Sequence, residues 1–426
     1  MNCLYSLLIY NFASGINMTK ILIIAGEPSG DNLGADLIKE MVFQNSLNHS
    51  RTGEEEHEAT ALNRAELIFH GIGGPLMEHQ GLVSLFRMKE LSVMGLTDVL
   101  YRLPKIFSIM RRIVHYVKIW KPDLVVTIDS PDFSIRLVKR LRLVDKFVPV
   151  IQYVAPSVWA WRPSRAKDMA KYYDSVLTLL PFESKFFEKF GLNCEFVGHP
   201  VARYRLPDQT KVHRIILKSN IDTSKRLITI LPGSRKSEIK YMLPIFLPVI
   251  RKLTARFDDL EFVIPAPLNV SKLIKDNIRN EKIDIKVISE ENFVSNEFQL
   301  FKFSLFSLSD LALATSGSVS LELARAGTPM VTAYRCSLMF EYVLKRFVKL
   351  KSANLINIVL EENLVPEFLF ERCNVNNLFS SMSELLSCQS SLLTQKESHV
   401  KVMNMLQGKQ GRSSETAARY ALSSLS

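Results

Sequence analysis

Asp129 and Asp132 lie three residues apart around Ser130-Pro131, directly after the short β-branched run Leu124–Ile128. Two carboxylates at that spacing suit a general base with a second carboxylate to orient it. The run before them reads as a strand buried on both faces, the kind found in parallel sheets. Open α/β sheets hold their ligands at the carboxyl ends of such strands. Capping a helix that starts near Phe133 is the plainer use of either aspartate, and taken alone it is preferred. The rest of the chain reverses that preference.

Other polar stretches repeat one arrangement of strand, glycine-bearing turn and helix. Lys20–Ala25 leads through Gly26-Glu27-Pro28-Ser29-Gly30-Asp31 into a helix expected from about Asn32 to Phe43. Its spacing is neither G-x-G-x-x-G nor a P-loop, so the signal is weak by itself. Glu66–Phe69 runs into Gly71-Ile72-Gly73-Gly74-Pro75, where glycine either lets backbone approach a ligand or simply makes the turn. Leu227–Leu231 precedes Pro232-Gly233-Ser234-Arg235, a glycine turn with an adjacent arginine, suited to a diphosphate. Asp310–Ala314 delivers Thr315-Ser316-Gly317-Ser318 to the helix Val319–Ala326, a second anion nest. Glu322, one turn into that helix, is placed to accept hydrogen bonds from ribose hydroxyls. Two such turns in one half-chain favour a nucleotide site over ordinary capped turns. Ala155–Pro163 carries Trp159, Trp161 and Arg162 in a proline-bounded loop that suits a sugar ring or a phosphate. At least one of those tryptophans is equally suited to packing. His199 sits in a turn and is not read as a catalytic base on that ground alone.

These groups need α/β scaffolding, and the chain of 426 residues is long enough for two or three domains. At 47% hydrophobic and 23% charged it is globular. The polar stretch Arg203–Ser224 is the best candidate linker between two α/β halves. No apolar run approaches the roughly 20 residues that span a bilayer. Five dispersed cysteines without a C-x-x-C pair suit a reducing compartment and oppose a disulfide framework or structural zinc. The net charge of +11 suggests an acidic partner or an anionic surface. Residues 1–17 lack the basic start and cleavage site of a secretory signal and are expected to be dispensable, with Met18 a candidate start. Ser46–Arg64 reads as an exposed polar insertion.

Leu96, Val99, Leu100, Leu103, Phe107 and Met110 recur at helical spacing, with Arg102, Lys105, Arg111 and Arg112 beside them. Pro104 is expected to kink or divide the segment. A core-facing helix is the default reading, and a basic amphipathic patch on an anionic membrane is the sharper one. Lys345–Lys351 reads as a solvated basic helix face. There is no H-E-x-x-H, D-x-D, G-x-S-x-G or Cys/His cluster, so no metal or cofactor and no serine-hydrolase chemistry is expected. No nucleic-acid motif is present either.

Taken together, AGEPSGDNLGADLI (25–38), LSVMGLTDVL (91–100), KPDLVVTIDSPDF (121–133), APSVWAWR (155–162), LLPFE (179–183), VGHP (197–200), LPGSR (231–235) and ATSGSVSLE (314–322) resemble the lipid-A-disaccharide synthases. The resemblance implies a GT-B arrangement, an α/β fold of two Rossmann-like lobes whose parallel sheets face a central cleft. It implies an acceptor- and membrane-facing lobe over 18–203, a UDP-sugar-binding lobe over 204–388, and helices of 389–426 packing back on the first. It implies a UDP-2,3-diacylglucosamine donor, a 2,3-diacylglucosamine 1-phosphate acceptor, and a β-1,6-linked disaccharide phosphate plus UDP as products. By motif, Asp129 corresponds to the essential aspartate, with Glu27 and Ser29 in the active-site turn. Gly233, Ser234, Arg235, Ser316, Gly317, Ser318, Glu322 and Asn354 fall in the nucleotide-site segments, and Trp159, Trp161 and Arg162 in the acceptor loop. Leu96, Val99, Leu100, Leu103 and Phe107 would form the membrane patch of an enzyme held peripherally on the cytoplasmic face of the inner membrane. A homodimer is compatible with the sequence. The alternatives are another UDP-sugar enzyme of the same fold, such as an epimerase, and a non-catalytic basic protein that binds nucleic acid.

Overall fold

The computed structural model describes residues 18–51, 66–90, 96–279, 281, 283–294, 297–347, 352–408 and 411–425. The extension 1–17, the insertion from 52 to 65 and the side chains of 96–103 fall outside what it describes. The chain divides into two units, one of residues 1–200 with 408–426 and the other of residues 201–407.

The first unit is built on a parallel sheet of seven strands. They are β1 (Met18–Ala25), β2 (Glu66–Ile72), β3 (Val83–Ser84), β4 (Leu124–Ile128), β5 (Val150–Tyr153), β6 (Ser175–Thr178) and β7 (Asn193–Phe196). Their order is β3-β2-β1-β4-β5-β6-β7. Ile21, Leu22, Ile23 and Ile24 of β1 are all buried, because alternate side chains face different cores. Leu22 and Ile24 join Val125, Ile109, Ile113 and Leu137 on one side. Ile21 and Ile23 join Val126, Ile128, Leu37 and Ala418 on the other. Each such side chain contributes roughly 1.5–3 kcal/mol on burial.

The second unit repeats the plan with six parallel strands in the order β10-β9-β8-β11-β12-β13. They are β8 (Arg226–Leu231), β9 (Leu260–Ala266), β10 (Lys286–Ser289), β11 (Leu311–Thr315), β12 (Met330–Tyr334) and β13 (Glu367–Leu369). In both sheets the order reverses beside the first strand of the unit, at β1/β4 and at β8/β11. Loops leaving neighbouring strands diverge there and open a crevice at the carboxyl ends, the usual ligand position of such sheets.

Four expectations need correction. The first helix spans Pro28–Arg51, so residues 46–51 continue it rather than opening a loop. Helix Leu96–Trp120 is not divided at Pro104, since one missing N–H is offset by burial of Ile109, Met110, Ile113 and Val117 further along. The supposed linker contains the helix Gln209–Lys218, capped by Asp208, which accepts from the Lys211 amide at 2.8 Å. That helix buries Val212 and Ile216, two positions too few to show against its polar flanks. Lastly, the helix Gln389–Met405 packs on Val319–Ala326 and Leu355–Leu360 of the second unit, and its Gln395 accepts from the Met330 amide at 2.9 Å. Of the helices described beyond residue 388, only Ser413–Ser423 packs on Pro28–Arg51, through Ala417, Ala418 and Ala421.

Gly71 lies opposite Ile23 in the β1–β2 ladder, where a Cβ would sit 1.7 Å from the Ile23 carbonyl oxygen. Nothing flexible can yield at that contact, because the obstacle is backbone. Gly71→Ala is therefore expected to destabilise the protein by more than about 3 kcal/mol. Denaturant unfolding checks this, and a loss below about 1 kcal/mol would contradict the packing described.

Candidate active site

At the β1/β4 reversal, Asp129 and Ser130 both adopt left-handed backbone, with φ of 53° and 44°. Two such non-glycine residues cost on the order of 1–3 kcal/mol each and persist only where the surroundings fix them. The Asp129 amide donates to the Tyr153 carbonyl at 3.0 Å, while its own carbonyl accepts from Ser134 Oγ at 3.0 Å and Gln152 Nε2 at 3.3 Å. Gln152 is fully buried and its Oε1 accepts from Thr127 Oγ1 at 2.7 Å. The aspartate is thereby turned away from the helix behind it. Ser130, at the N-cap position of Pro131–Leu141, makes no side-chain cap.

The half-buried Asp129 carboxylate instead accepts from Ser29 Oγ, whose hydroxyl lies 3.3 Å from Oδ2. Ser29 opens the helix Pro28–Arg51, and Glu27 lies exposed in the turn just before it. A Cβ on Gly26 would come 2.6 Å from Ser130 Oγ, so glycine lets the two turns approach. Asp31 is structural. It is buried and accepts from the amides of Gly74, Met77 and Leu76 at 2.8, 3.1 and 3.2 Å. A Cβ on Gly74 would meet its Oδ2 at 2.4 Å, so Gly71 and Gly74 serve approaches within the protein, as the plainer reading of that turn held.

Asp132 does not orient Asp129. Its Oδ1 accepts from Arg165 at 2.6 Å and from Arg162 at 3.4 Å, which ties the first turn of its helix to the tryptophan loop. Within that loop Trp159 is an anchor: Nε1 donates to Glu183 at 3.1 Å and the ring meets Phe182 edge-on at 5.3 Å. Trp161 lies under the Arg162 guanidinium at 5.1 Å. Burial pushes Glu183 up to about 7, despite the Leu180, Leu179 and Trp159 donors that favour its charged form. Desolvation also pushes His199 down to about 4, leaving a neutral imidazole. Along Leu96–Trp120, Phe107 is partly exposed and stacks under Arg140 at 5.3 Å, whereas Met110 is buried. Lys105 pairs with Glu90 at 3.1 Å and Arg112 lies over Phe86 at 4.4 Å. The side chains of Leu96, Val99, Leu100 and Leu103 lie outside the described residues.

In the second unit the two turns at β8/β11 differ. After β8, Glu238 Oε2 accepts from the amides of Ser234 and Arg235 at 2.8 and 3.1 Å, and its Oε1 pairs with the Arg235 guanidinium at 3.3 Å. Gly233, at φ 119°, is required because a Cβ would lie 2.4 Å from that of Glu238. Two amides expected to cradle a diphosphate are thus already engaged by a carboxylate, and the exposed Arg235 side chain is the remaining donor. After β11, the Ser316 amide donates to the Ala333 carbonyl at 2.9 Å, but the amides of Gly317, Ser318 and Val319 take no partner among the described residues. Nothing lies within 4 Å of a Cβ built on Gly317, so this turn is open.

Glu322 pairs with Lys302 at 2.7 Å. Asn354 is fully buried and caps the helix Leu355–Leu360, accepting from Ile356 at 2.8 Å while its Nδ2 donates to Thr332 at 3.3 Å. It shapes the loop and presents no surface to a ligand. Glu367, Gln152 and Arg165 are contributions that motif reading missed. Glu367 accepts from Ser316 Oγ at 2.8 Å, Ser352 Oγ at 2.7 Å and the Ala353 amide at 3.0 Å, joining the open turn to the Asn354 loop.

Solved structures with this fold include S. aureus MnaA in its UDP co-structure, with a TM-score of 0.59 at 13% identity over 95% of this chain and 97% of that one. A glycosyltransferase from Rickettsia africae matches with a TM-score of 0.54 at 12% identity over 96% and 99%. The UDP-GlcNAc 2-epimerase from Neisseria meningitidis matches with a TM-score of 0.58 at 12% identity over 96% and 99%. These likenesses show an α/β fold of two parallel sheets that epimerases and glycosyltransferases share. Sequence comparison is more specific. The lipid-A-disaccharide synthetase family model matches residues 21–421. The lipid-A-disaccharide synthase of Rhodospirillum centenum is 38% identical over 368 residues, covering 86% of this chain and 85% of its own. That of Nitrobacter hamburgensis is 34% identical over 411 residues, covering 95% and 96%. The chain belongs to the lipid-A-disaccharide synthase family and is a glycosyltransferase.

Glu183 gives the site a pH signature. Its folded value is raised, so its contribution to stability is full below about pH 4.5 and is lost as pH rises through about 7. Wild type is expected to lose up to ~3 kcal/mol of its advantage over Glu183→Gln between pH 4.5 and 8. Urea unfolding of both proteins at the two pH values reads this, and an advantage that grows with pH would refute it.

Proposed function

We propose that the protein condenses UDP-2,3-diacylglucosamine with 2,3-diacylglucosamine 1-phosphate, inverting the anomeric centre to give the β-1,6-linked disaccharide 1-phosphate and UDP. The observation that carries this reading is the Ser29–Asp129 pair at the crevice of the first sheet. Asp129 takes the proton of the acceptor 6-hydroxyl as that oxygen attacks the donor's anomeric carbon. The bond from that carbon to the β-phosphate oxygen breaks, and its electron pair leaves with UDP. By donating to Oδ2, Ser29 orients the carboxylate and leaves Oδ1 for the hydroxyl. Arg235 and the open amides of Gly317, Ser318 and Val319 stabilise the charge gathering on the diphosphate. Glu367 and Asn354 hold the open turn in shape rather than touching the nucleotide.

Acylated substrates would be met at the cytoplasmic face of the inner membrane, with Leu96, Val99, Leu100, Leu103 and Phe107 as the contact. Among the described residues no helix is long and apolar enough to cross a bilayer.

The purified protein is expected to release UDP from the diacylated donor only when the acceptor is present. Asp129→Asn should lower that rate by roughly 100- to 10,000-fold while UDP binding persists. Asparagine is the right replacement because it tolerates the left-handed backbone that position 129 requires. Turnover within about threefold of wild type would remove Asp129 from the mechanism. In calorimetry with UDP alone, Arg235→Ala should weaken binding by about 1.5–3 kcal/mol. An unchanged dissociation constant would move the diphosphate away from this arginine.

A further inference from the structure

We propose that a pocket beside Asp129 seats the phosphate of the acceptor, with Arg165 and Arg162 as its ligands and Asp132 as the anion it displaces. This rests on the transferase reading above and assigns the acceptor's second anchor. The pocket, about 180 Å³ in volume, lies wholly within the first unit and is lined by Asp132, Ile135, Arg136, Arg162, Arg165 and Asp168, with Pro131 and Ser164 at its edge. Three arginines against two aspartates leave it positively charged.

The arginines are held ready for an anion. A single oxygen, Asp132 Oδ1, accepts from both Arg165 and Arg162, so each guanidinium keeps further N–H donors in the planar fork that matches phosphate oxygens. Arg165 is the fixed member, with a side chain only 13% exposed, whereas Asp132 is 65% exposed. An ion pair with so exposed a carboxylate contributes little, so a doubly charged phosphate can replace it. Arg162 sits at φ 51°, a left-handed bend held at a residue other than glycine, with its guanidinium over the Trp161 ring. Strain of that kind is retained where the side chain it aims has a use.

Position supplies the rest. Asp132 is three residues past Asp129, at the start of the same helix. A glucosamine that offers its 6-hydroxyl to Asp129 carries its anomeric phosphate across the sugar ring, so a phosphate seat is needed a short way beyond the base. The Trp161 indole lies under the Arg162 arm of that arginine pair.

The test uses the full chain and two acceptors, diacylglucosamine 1-phosphate and the same molecule with a free anomeric hydroxyl. Wild type should favour the phosphorylated acceptor in kcat/KM. Arg165→Gln and Arg162→Gln should each raise the KM for that acceptor by roughly 10- to 100-fold, leave the donor KM unchanged, and barely alter use of the phosphate-free acceptor. Arg165→Lys should restore part of the loss. Arg162 is exposed and its replacement gives up only the surface contacts with Trp161 and Asp132, so that variant stays informative if Arg165→Gln folds poorly. A preference that survives both glutamine variants, or an equal loss on both acceptors, would overturn the phosphate seat and leave the arginines as a structural tie. No UDP release by wild type with either acceptor would instead sink the transferase reading, and the phosphate seat with it.

Discussion

A buried glutamine amide sets the geometry at the end of β4. Gln152 has no exposed surface, and its Nε2 is shared among the carbonyls of Asp129, Tyr153 and Val154 at 3.2–3.3 Å. Thr127, inside an otherwise apolar strand, donates to its Oε1 and fixes which way the amide points. In a low-dielectric interior an unsatisfied amide would be costly, so this network has one favourable arrangement. That arrangement holds two successive residues in left-handed backbone and swings Asp129 toward Ser29. Without it, an aspartate at this position would relax into a helix cap, the role its sequence context alone suggests. The carboxylate is available for chemistry because polar groups a strand away leave the backbone no cheaper conformation.

The second unit reaches its geometry differently. Both turns at the β8/β11 reversal precede helices, yet Glu238 closes one and Glu367 opens the other. Glu238 sits inside its turn and takes the amides. Glu367 stands to one side and takes the Ser316 hydroxyl and the Ser352–Ala353 loop, leaving Gly317, Ser318 and Val319 unengaged. The same residue type thus either fills an anion nest or braces it, depending on whether it approaches along the helix or from β13, two strands away.

Much of this was legible in the chain itself. Apolar β-branched runs followed by turns are a local signal, so the strands other than β3, β7, β12 and β13, their parallel sense and the loops bearing Asp129, Arg235 and Ser316 could be read directly. The braces could not. Gln152 lies in an ordinary-looking strand, Glu367 in an apolar run that carries no motif, and Arg165 just past a motif, and each matters through a partner distant in sequence. The same limit explains Asn354, where a motif located the loop but not the direction of the side chain. It explains Gln389–Met405 as well, since a helix with buried Gln395, Ser398 and His399 carries too few apolar residues to announce its packing partner.

The end of the chain closes the beginning. Ser413 Oγ donates to the Gly198 carbonyl at 2.8 Å and lies 3.3 Å from the hydroxyl of the wholly buried Tyr153, next to Gln152 on β5. Gly408 passes so close to Val197 that a Cβ would lie 2.6 Å from its carbonyl oxygen. On the ribosome, therefore, the first unit waits. Its sheet emerges early, but the helix that covers Ala35, Leu37 and Ile38 is translated only after the whole of the second unit. The later unit can finish folding first, and the nascent earlier one must keep an apolar helix face and a buried tyrosine hydroxyl uncovered until that helix has emerged.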